Sequence, residues 1–422
     1  ADEKGGIALI YKDSEDYSYL CLKPTTEEVE VVQIILATNG RSRNDKYVAL
    51  VTAFNKKYPR WHIELKSDYD ETALLTQLGA GSGPVLVDTG ALHSFEGMEK
   101  LWEPLDAVME QLGITEELVP SVLELGKING IQYGIVTDFY LKTQVTGNQD
   151  LEEWDYDTFL QCIEDSPELE AVFDIYEGGN HADILVSEYF IRGIDDAYFW
   201  DAEAGTTNFD SSEFRRVLEV AEKYCSPKAA VPADSSLLEG KVLCHRLIIG
   251  SPQELAGARI CYGKDANYIG YPGKEGSIHY ICGGWPLAIR RTATDEEKEL
   301  AIAFMNMVLS YEGQRLAAKD INFDMSVRWD VLEEQIADMR NGTEVRIGDF
   351  GQVRLGDQVN IELDRNRLLN FIHTAEPLRA LPEKLNDIVW EELGLYGSGD
   401  ITEEMLIDRL ENRVGLFLNE RN

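Results

Sequence analysis

The chain has 422 residues, of which 76 are acidic and 39 basic, so its formal charge is −37, and 44% of its residues are hydrophobic. This length exceeds what one core usually organises, so we expect two or more lobes. The charge argues against binding to nucleic acid or anionic lipid surfaces, the hydrophobic content argues against global disorder, and no apolar run reaches the ~18 residues of a membrane span.

Two short segments near the start of the chain have the composition of strands. Residues 6–11 and 17–22 are rich in apolar and aromatic side chains, and Pro24 with two threonines follows the second. We interpret residues 1–30 as an N-terminal extension, which is either a hairpin or the tail of a preceding domain.

Residues 29–88 alternate between strand and helix patterns. The apolar, β-branched run 29–37 is typical of a strand buried on both faces, and Asn44 is placed to cap a helix that Pro59 ends. A strand over 61–65, a helix over 71–78 and a strand over 84–88 follow. This order predicts a parallel sheet covered by helices.

The same alternation continues in the second half of the chain. Capping-box patterns open two helices, one at Asp210 and Glu213 and one at Thr294 and Glu297. Further strands are predicted over residues 132–137, 258–262, 277–282 and 286–289. The last helix carries one apolar stripe, which consists of Met405, Leu406, Leu410, Val414 and Phe417.

Motifs of catalysis and metal binding are missing from the sequence. The six histidines are scattered, and neither HExxH nor a Walker A loop occurs. The glycine-rich stretch 79–84 follows a helix and is interpreted as a helix-to-strand connection, while acidic pairs arise by chance among 76 acids. The six cysteines include no C-x-x-C, so free thiols are favoured, with one or two disulfides as the alternative. We therefore predict no catalytic residue, no metal and no cofactor.

Several segments, taken in order, are similar to the extracellular solute-binding proteins of ATP-driven (ABC) importers, in the sugar-binding family typified by maltodextrin receptors. The similarity covers residues 31–422, and residues 1–28 have no counterpart. The segments are Phe-Asn-Lys-Lys-Tyr-Pro at 54–59, Asn-Gly-Ile-Gln-Tyr-Gly at 129–134, Tyr-Ile-Gly-Tyr-Pro-Gly at 268–273, Leu-Ser-Tyr-Glu-Gly-Gln at 309–314 and Asn-Arg-Val-Gly-Leu-Phe at 412–417.

The resemblance implies an α/β fold of the type II periplasmic-binding-protein class, in which two lobes joined by hinge segments close on a ligand. Lobe 1 is expected to comprise residues 31–137 and about 286–345, and lobe 2 residues 138–285 and about 346–422. It further implies a monomeric receptor that delivers a mono- or oligosaccharide to a membrane permease. The full-length protein is expected at the cell surface, held by a lipid anchor.

Candidate ligand-binding residues follow from the chemistry of a sugar, which needs flat aromatic rings to stack on and polar side chains for its hydroxyls. Each has an alternative structural role in packing, turns or capping. They are Asn39 and Gly40 after the first strand, Asp88, Asp138 and Tyr140 near the first passage between lobes, Tyr198 and Trp200, and Trp285 in a Gly-Gly-Trp-Pro turn.

Three other functions remain open from the sequence. The same fold could bind a polyamine, a peptide or a phosphorylated polyol. Residues 1–28 are compatible with a ligand-sensing or adhesion module of a larger surface protein. A carbohydrate-active enzyme with an acidic dyad is the third alternative, although the sequence offers no arrangement of nucleophile and base for it.

Overall fold

The structure is a computed structural model. It describes residues 7–13, 16–22, 31–38, 44–92, 95, 97–173, 199–201, 204–224, 237–263, 266–319, 324–341, 344–347, 351–378 and 383–421. Within these ranges, no helix combines the length and the apolar character needed to cross a membrane.

The strands are short, apart from the central ones of two larger sheets. They are β1 Ile7–Asp13, β2 Asp16–Leu22, β3 Val32–Ala37, β4 Trp61–Lys66, β5 Leu86–Asp88, β6 Lys127–Ile128, β7 Ile131–Gln132, β8 Gly134–Ile135, β9 Asp138–Thr146, β10 Ala171–Phe173, β11 Trp200–Asp201, β12 Thr206–Thr207, β13 Val242–Ile249, β14 Tyr271–Pro272, β15 Ser277–Ile278, β16 Tyr280–Gly283, β17 Leu287–Ile289, β18 Met325–Ser326, β19 Glu344–Ile347, β20 Gly351–Arg354 and β21 Glu376–Pro377.

The α-helices cover the faces of these sheets. They are α1 Asn44–Lys57, α2 Glu71–Gly79, α3 Asp106–Leu112, α4 Pro120–Glu124, α5 Tyr156–Glu164, α6 Ser212–Tyr224, α7 Pro252–Tyr262, α8 Asp295–Leu309, α9 Tyr311–Ala317, α10 Trp329–Ala337, α11 Ile361–Thr374, α12 Glu383–Ser398 and α13 Glu403–Arg421.

Sheet I has the strand order β4-β3-β5-β17-β8. Strand β3 pairs in parallel with β4 and β5, whereas β17 runs antiparallel to both β5 and β8. Ile34 and Leu36 of β3 are buried because helices α1 and α8 pack on this sheet, with the rings of Phe54 and Phe304 in edge contact at 5.4 Å. The parallel core predicted from residues 29–88 is confirmed, and β17 adds the antiparallel strand.

Sheet II has the order β10-β13-β9-β16-β21, and β18 also pairs with β9. Helices α5, α6, α12 and α13 contribute to an aromatic core beside it, in which the rings of Phe199, Phe209 and Phe214 lie 5.0–6.0 Å apart. Strand β9 is the long central strand of sheet II. It begins at Asp138, shortly after β8 of sheet I ends at Ile135.

Within the described residues, the chain passes between the two sheets at three places. The first crossing segment, residues 136–137, joins β8 to β9, and the second, residues 284–286, joins β16 to β17. The third crossing segment, residues 324–328, contains β18, which pairs with β9 at Phe139 and Asp138. Each sheet is therefore assembled from segments far apart in sequence.

Several predicted elements are confirmed. Residues 7–13 and 16–22 pair as the antiparallel strands β1 and β2, as the hairpin interpretation of this segment predicts. Thr294 and Glu297 form a complete capping box at α8, and stretch 79–84 connects α2 to β5. Cys162 is a free thiol, and the state of the other cysteines stays a prediction.

Three local predictions are wrong. Residues 258–262 belong to helix α7, because the cap Ser251, which accepts from the Glu254 backbone N–H, starts a helix with Pro252 in its first turn. Helix α6 is capped by the Ser211 hydroxyl rather than by Asp210. Met405 is exposed, while the other members of its stripe are buried.

Candidate functional site

The carboxyl edge of sheet I is where the chain crosses to sheet II. Strand β3 ends there at Ala37, β5 ends at Asp88, and β8 leads into the first crossing segment. Strand β17 enters at the same edge, with Leu287 opposite Asp88. Because α/β sheets gather ligand-contacting groups at the carboxyl ends of their strands, this edge is the candidate site.

A buried ion pair links the two sheets at this edge. The Lys46 ammonium, in the first turn of α1, donates to the Thr137 hydroxyl at 2.7 Å and to Oδ1 of Asp138. Asp138 is 0% exposed, and its Oδ2 accepts from the Asp324 backbone N–H at 3.4 Å. Asp138 is therefore engaged by the protein itself, and it fastens the start of β9 to α1.

Asp88 is the second carboxylate of the edge, and it is only partly buried. Its Oδ1 accepts from the Gly90 backbone N–H at 2.9 Å. Burial raises the pKa of Asp88 to about 6 and the nearby Asp138 adds to the rise, while Lys46, the Gly90 N–H and the Tyr47 hydroxyl oppose it. A carboxyl group with this pKa can donate or accept a hydrogen bond near neutral pH, as a hydroxylated ligand requires.

Tyr47 completes the ionisable cluster beneath this edge. Its pKa is raised well above the ordinary value by burial, by Asp88 and by Asp138. The phenol therefore stays neutral, so the charges of the cluster are those of Lys46 and the two carboxyl groups.

Trp285 lies in the second crossing segment and is 36% exposed. Its neighbours fix the loop on either side, because the Gly284 N–H donates to the Asp138 carbonyl at 3.2 Å and the Thr89 N–H and hydroxyl donate to the Pro286 carbonyl at 3.0 Å. The Trp285 indole is therefore partly open to solvent in a loop whose backbone is bonded to Asp138 and Thr89, and it offers a flat apolar surface to a ligand.

The other predicted site residues lie elsewhere or outside the described residues. Tyr140 is partly buried against the aromatic core of sheet II, opposite Cys282. Trp200 is 7% exposed and packs 6.4 Å from Phe209, so its role in stacking stays a prediction. Asn39, Gly40 and Tyr198 are outside the described residues.

Sequence reasoning missed Lys46, Thr137 and Gln314, which hold the crossing segments. Lys46 had a signal, since a cation in the first turn of a helix opposes the helix dipole and calls for a nearby anion. Thr137 had none, because its partner Lys46 lies 91 positions away, and Gln314 belongs to the segment 309–314 that resembles the family, but the resemblance implied no role for it. In the part of the chain that the structure describes, no group of three or more His, Cys, Asp or Glu side chains could hold a metal ion.

Comparison with known proteins finds similarity at the level of structure. No family model and no curated protein matches the sequence. Maltose-bound MalE3 of T. maritima matches with a TM-score of 0.55 at 16% identity, covering 91% of this chain and 99% of that one. The sugar-binding protein MalE of Xanthomonas citri matches with a TM-score of 0.57 at 14% identity, covering 92% of this chain and 98% of that one.

A third structure, the substrate-binding protein Lmo0181 of Listeria monocytogenes in complex with cycloalternan, matches with a TM-score of 0.55 at 13% identity, covering 92% of this chain and 99% of that one. The predicted similarity to sugar-binding solute-binding proteins is thus confirmed in structure. At these identities it shows the fold, which is the two-lobed α/β type II periplasmic-binding-protein class.

Proposed function

We propose that the protein is an extracytoplasmic solute-binding receptor that captures a mono- or oligosaccharide by hinge closure and delivers it to an ABC importer. The observation that carries this proposal is the carboxyl edge of sheet I, where Trp285, which is 36% exposed, lies in the second crossing segment two residues before Leu287, the partner of Asp88 in the sheet. A ligand placed there would touch groups attached to both lobes, so its binding would favour the closed state.

The chemistry of this edge suits a neutral, hydroxylated ligand. An indole face can stack on the C–H face of a sugar ring, and Asp88 can serve a hydroxyl as donor or acceptor. Lys46 offsets one of the two carboxylates, so the cluster carries at most one negative charge, that of Asp88, and does not favour an anion. The solved structures with maltose and cycloalternan support this reading by analogy of fold.

We assign the protein no catalytic role. An acidic dyad would need two carboxyl groups that both reach a substrate, and Asp138 is buried and bonded to Lys46 and Thr137. Asp138 is the carboxylate that acts on Asp88, and because it is buried it cannot reach a substrate. The described residues around Asp88 thus provide no acid and base pair.

The remaining features of the proposal follow from the same reading. Lobe 1 comprises residues 31–137 with about 286–323 and lobe 2 residues 138–285 with about 324–422, because the third crossing segment, residues 324–328, precedes the boundary near 345 that the sequence predicts. The full-length protein acts as a monomer at the cell surface, held by a lipid anchor, and hands its ligand to a membrane permease. A module of a larger surface protein would use the same site for sensing.

The test is a thermal-shift screen against mono- and oligosaccharides including maltose, with polyamines, amino acids and metal ions as comparison classes. A sugar present at 100 times its Kd should add about 2.7 kcal/mol to the free energy of unfolding. Trp285→Ala should abolish at least nine-tenths of that sugar's affinity, because one stacked ring contributes on the order of 1.4 kcal/mol or more.

The matched control is Trp61→Ala, which removes an indole from the opposite edge of sheet I, where Trp61 starts β4 and packs on Phe54. This variant should unfold at lower temperature but keep the sugar-induced shift. A shift with polyamines or amino acids alone would refute the sugar assignment while keeping the receptor fold. Equal loss of the sugar-induced shift in both variants would show that Trp285 is not a ligand-binding residue.

A further inference from the structure

Gln314 is a buried side chain between the helices of sheet I and the crossing segments. It is 0% exposed and lies on α9. Its Nε2 donates to the carbonyls of Thr137 at 3.0 Å and Val308 at 3.1 Å. Its Oε1 accepts from the Ser326 hydroxyl at 2.7 Å and the Val327 N–H at 3.2 Å. All four hydrogen-bonding positions of the amide are thereby used.

These four bonds join three different parts of the fold. Thr137 lies in the first crossing segment, Ser326 and Val327 lie in the third, and Val308 belongs to helix α8, which packs on sheet I. One side chain therefore fixes two of the three connections between the sheets to one helix.

A second glutamine strengthens the third crossing segment. The Gln335 amide, on α10, accepts from the Ser326 N–H at 2.9 Å and donates to the Asp324 carbonyl at 3.2 Å. The Val327 carbonyl accepts from the Val119 N–H at 2.9 Å. A buried polar network that is satisfied in this way specifies one arrangement of its segments, since any displacement leaves a donor or acceptor unpaired.

The sequence segment Leu-Ser-Tyr-Glu-Gly-Gln at 309–314 explains how Gln314 reaches this position. Helix α8 ends at Leu309, and the Ser310 hydroxyl accepts from the Gly313 N–H at 3.1 Å to start α9. A Cβ on Gly313 would lie 1.9 Å from the Met307 carbonyl oxygen. Glycine thus permits the close turn between α8 and α9 that directs Gln314 into the crossing region.

We propose that Gln314 is a positioning residue of the hinge, which holds the first and third crossing segments together as one block about which the lobes close. This inference rests on the proposed two-lobed receptor, but on no particular ligand. The block contains Asp138, so Gln314 also sets where β9 and its carboxylate stand relative to the edge of sheet I.

The test is hydrogen exchange measured by mass spectrometry on the whole chain without ligand. In Gln314→Met, exchange in the peptides covering 136–139 and 325–328 should rise together by about tenfold, as expected when buried hydrogen bonds are lost locally. Exchange in α8 should stay as in the parent protein.

The matched control is Gln132→Met, since Gln132 is also buried and donates to two backbone carbonyls, those of Leu123 at 3.2 Å and Gly134 at 2.6 Å. This variant should raise exchange around residues 123–134 and spare the third crossing segment. The proposal is overturned if Gln314→Met loosens only one crossing segment, or if it raises exchange throughout the chain in step with lower global stability.

Gln314→Glu serves if the methionine variant does not fold. At pH 8 a carboxylate keeps the bonds from Ser326 and Val327 but loses the donors to Thr137 and Val308. Exchange should then rise in residues 136–139 and stay low in 325–328, and the reverse pattern would refute the proposal. Because no ligand is used, a failed sugar screen would leave this result standing, and a failed exchange experiment would leave the sugar proposal standing.

Discussion

At the scale of single residues, the two carboxyl groups at the carboxyl edge of sheet I differ in their partners, since Asp138 is bonded to Lys46 and Thr137 whereas Asp88 accepts from the Gly90 backbone N–H. Asp88 and Trp285 were predicted from the types of group a sugar needs, and they lie at one edge of sheet I. Asp138 was predicted for the same reason, yet it is buried against Lys46, a residue 92 positions away. The sequence does not indicate which of the two carboxylates pairs with a cation.

The raised pKa of Asp88 gives a prediction about stability and pH. Between the ordinary value of 3.8 and about 6, folded Asp88 keeps a proton that the unfolded chain has lost. The contribution of Asp88 to stability therefore falls as pH rises through this window, and the penalty is complete above it. Asp88→Asn should raise the free energy of unfolding by about 1–2 kcal/mol at pH 7.5, discounted for partial exposure, and change it little at pH 4.

Urea unfolding at the two pH values measures this effect, and Asp155→Asn is a control of opposite sign. Hydrogen bonds from Thr158 lower the pKa of Asp155, the cap of α5. Its charge therefore stabilises the fold above the ordinary pKa, and this stabilisation is lost as pH falls. Asp155→Asn should destabilise at pH 7.5 and much less at low pH. An equal gain for Asp88→Asn at both pH values would contradict the assigned cause.

At the scale of elements, a cap and its partner in the sequence located two helix starts, although at α6 the cap is Ser211 and not the predicted Asp210. The Thr294–Glu297 box was found in this way. The strand predicted over 258–262 was wrong because a short apolar run has no period of its own, and the Ser251-Pro252 start six residues upstream decided the outcome. Reading caps before apolar runs would have corrected it.

Two glycines in helices give opposite predictions for the same substitution. Gly313→Ala should lower the free energy of unfolding by about 2–4 kcal/mol, since the methyl group would clash with the backbone at Met307 and backbone cannot easily give way. Gly394→Ala, in α12 with open space around it, should raise it by about 0.5–1 kcal/mol, because alanine favours helix. Calorimetry of both variants gives the comparison, and a loss in both would show that helix context, rather than the α8–α9 turn, governs the effect.

At the scale of the whole molecule, the sequence predicted the order of elements in the first sheet but not its completion. The pattern of residues 29–88 predicts β3, β4 and β5, which pair with one another over short distances in sequence. Strand β17, about 200 residues later, enters between β5 and β8. Insertion of this kind depends on long-range contacts that periodicity does not encode, so the crossing segments came only with the resemblance to a known fold.

The same long-range assembly predicts how the protein unfolds. Among the described residues, the largest hydrophobic core contains Ile34 and Leu36 of sheet I together with Phe139, Leu141 and Leu247 of sheet II. Since the two sheets share buried contacts and three crossing segments, neither should remain folded after the other has melted. Differential scanning calorimetry of the protein without ligand should give one transition whose calorimetric and van't Hoff enthalpies agree.

Circular dichroism and tryptophan fluorescence provide the independent check, because their unfolding curves should coincide with each other and with the calorimetric midpoint. Two resolved transitions would mean that the lobes unfold separately and that the shared core contributes little to their coupling. In Gln314→Met the single transition should persist, since the variant loosens the crossing segments locally and leaves the shared apolar core in place.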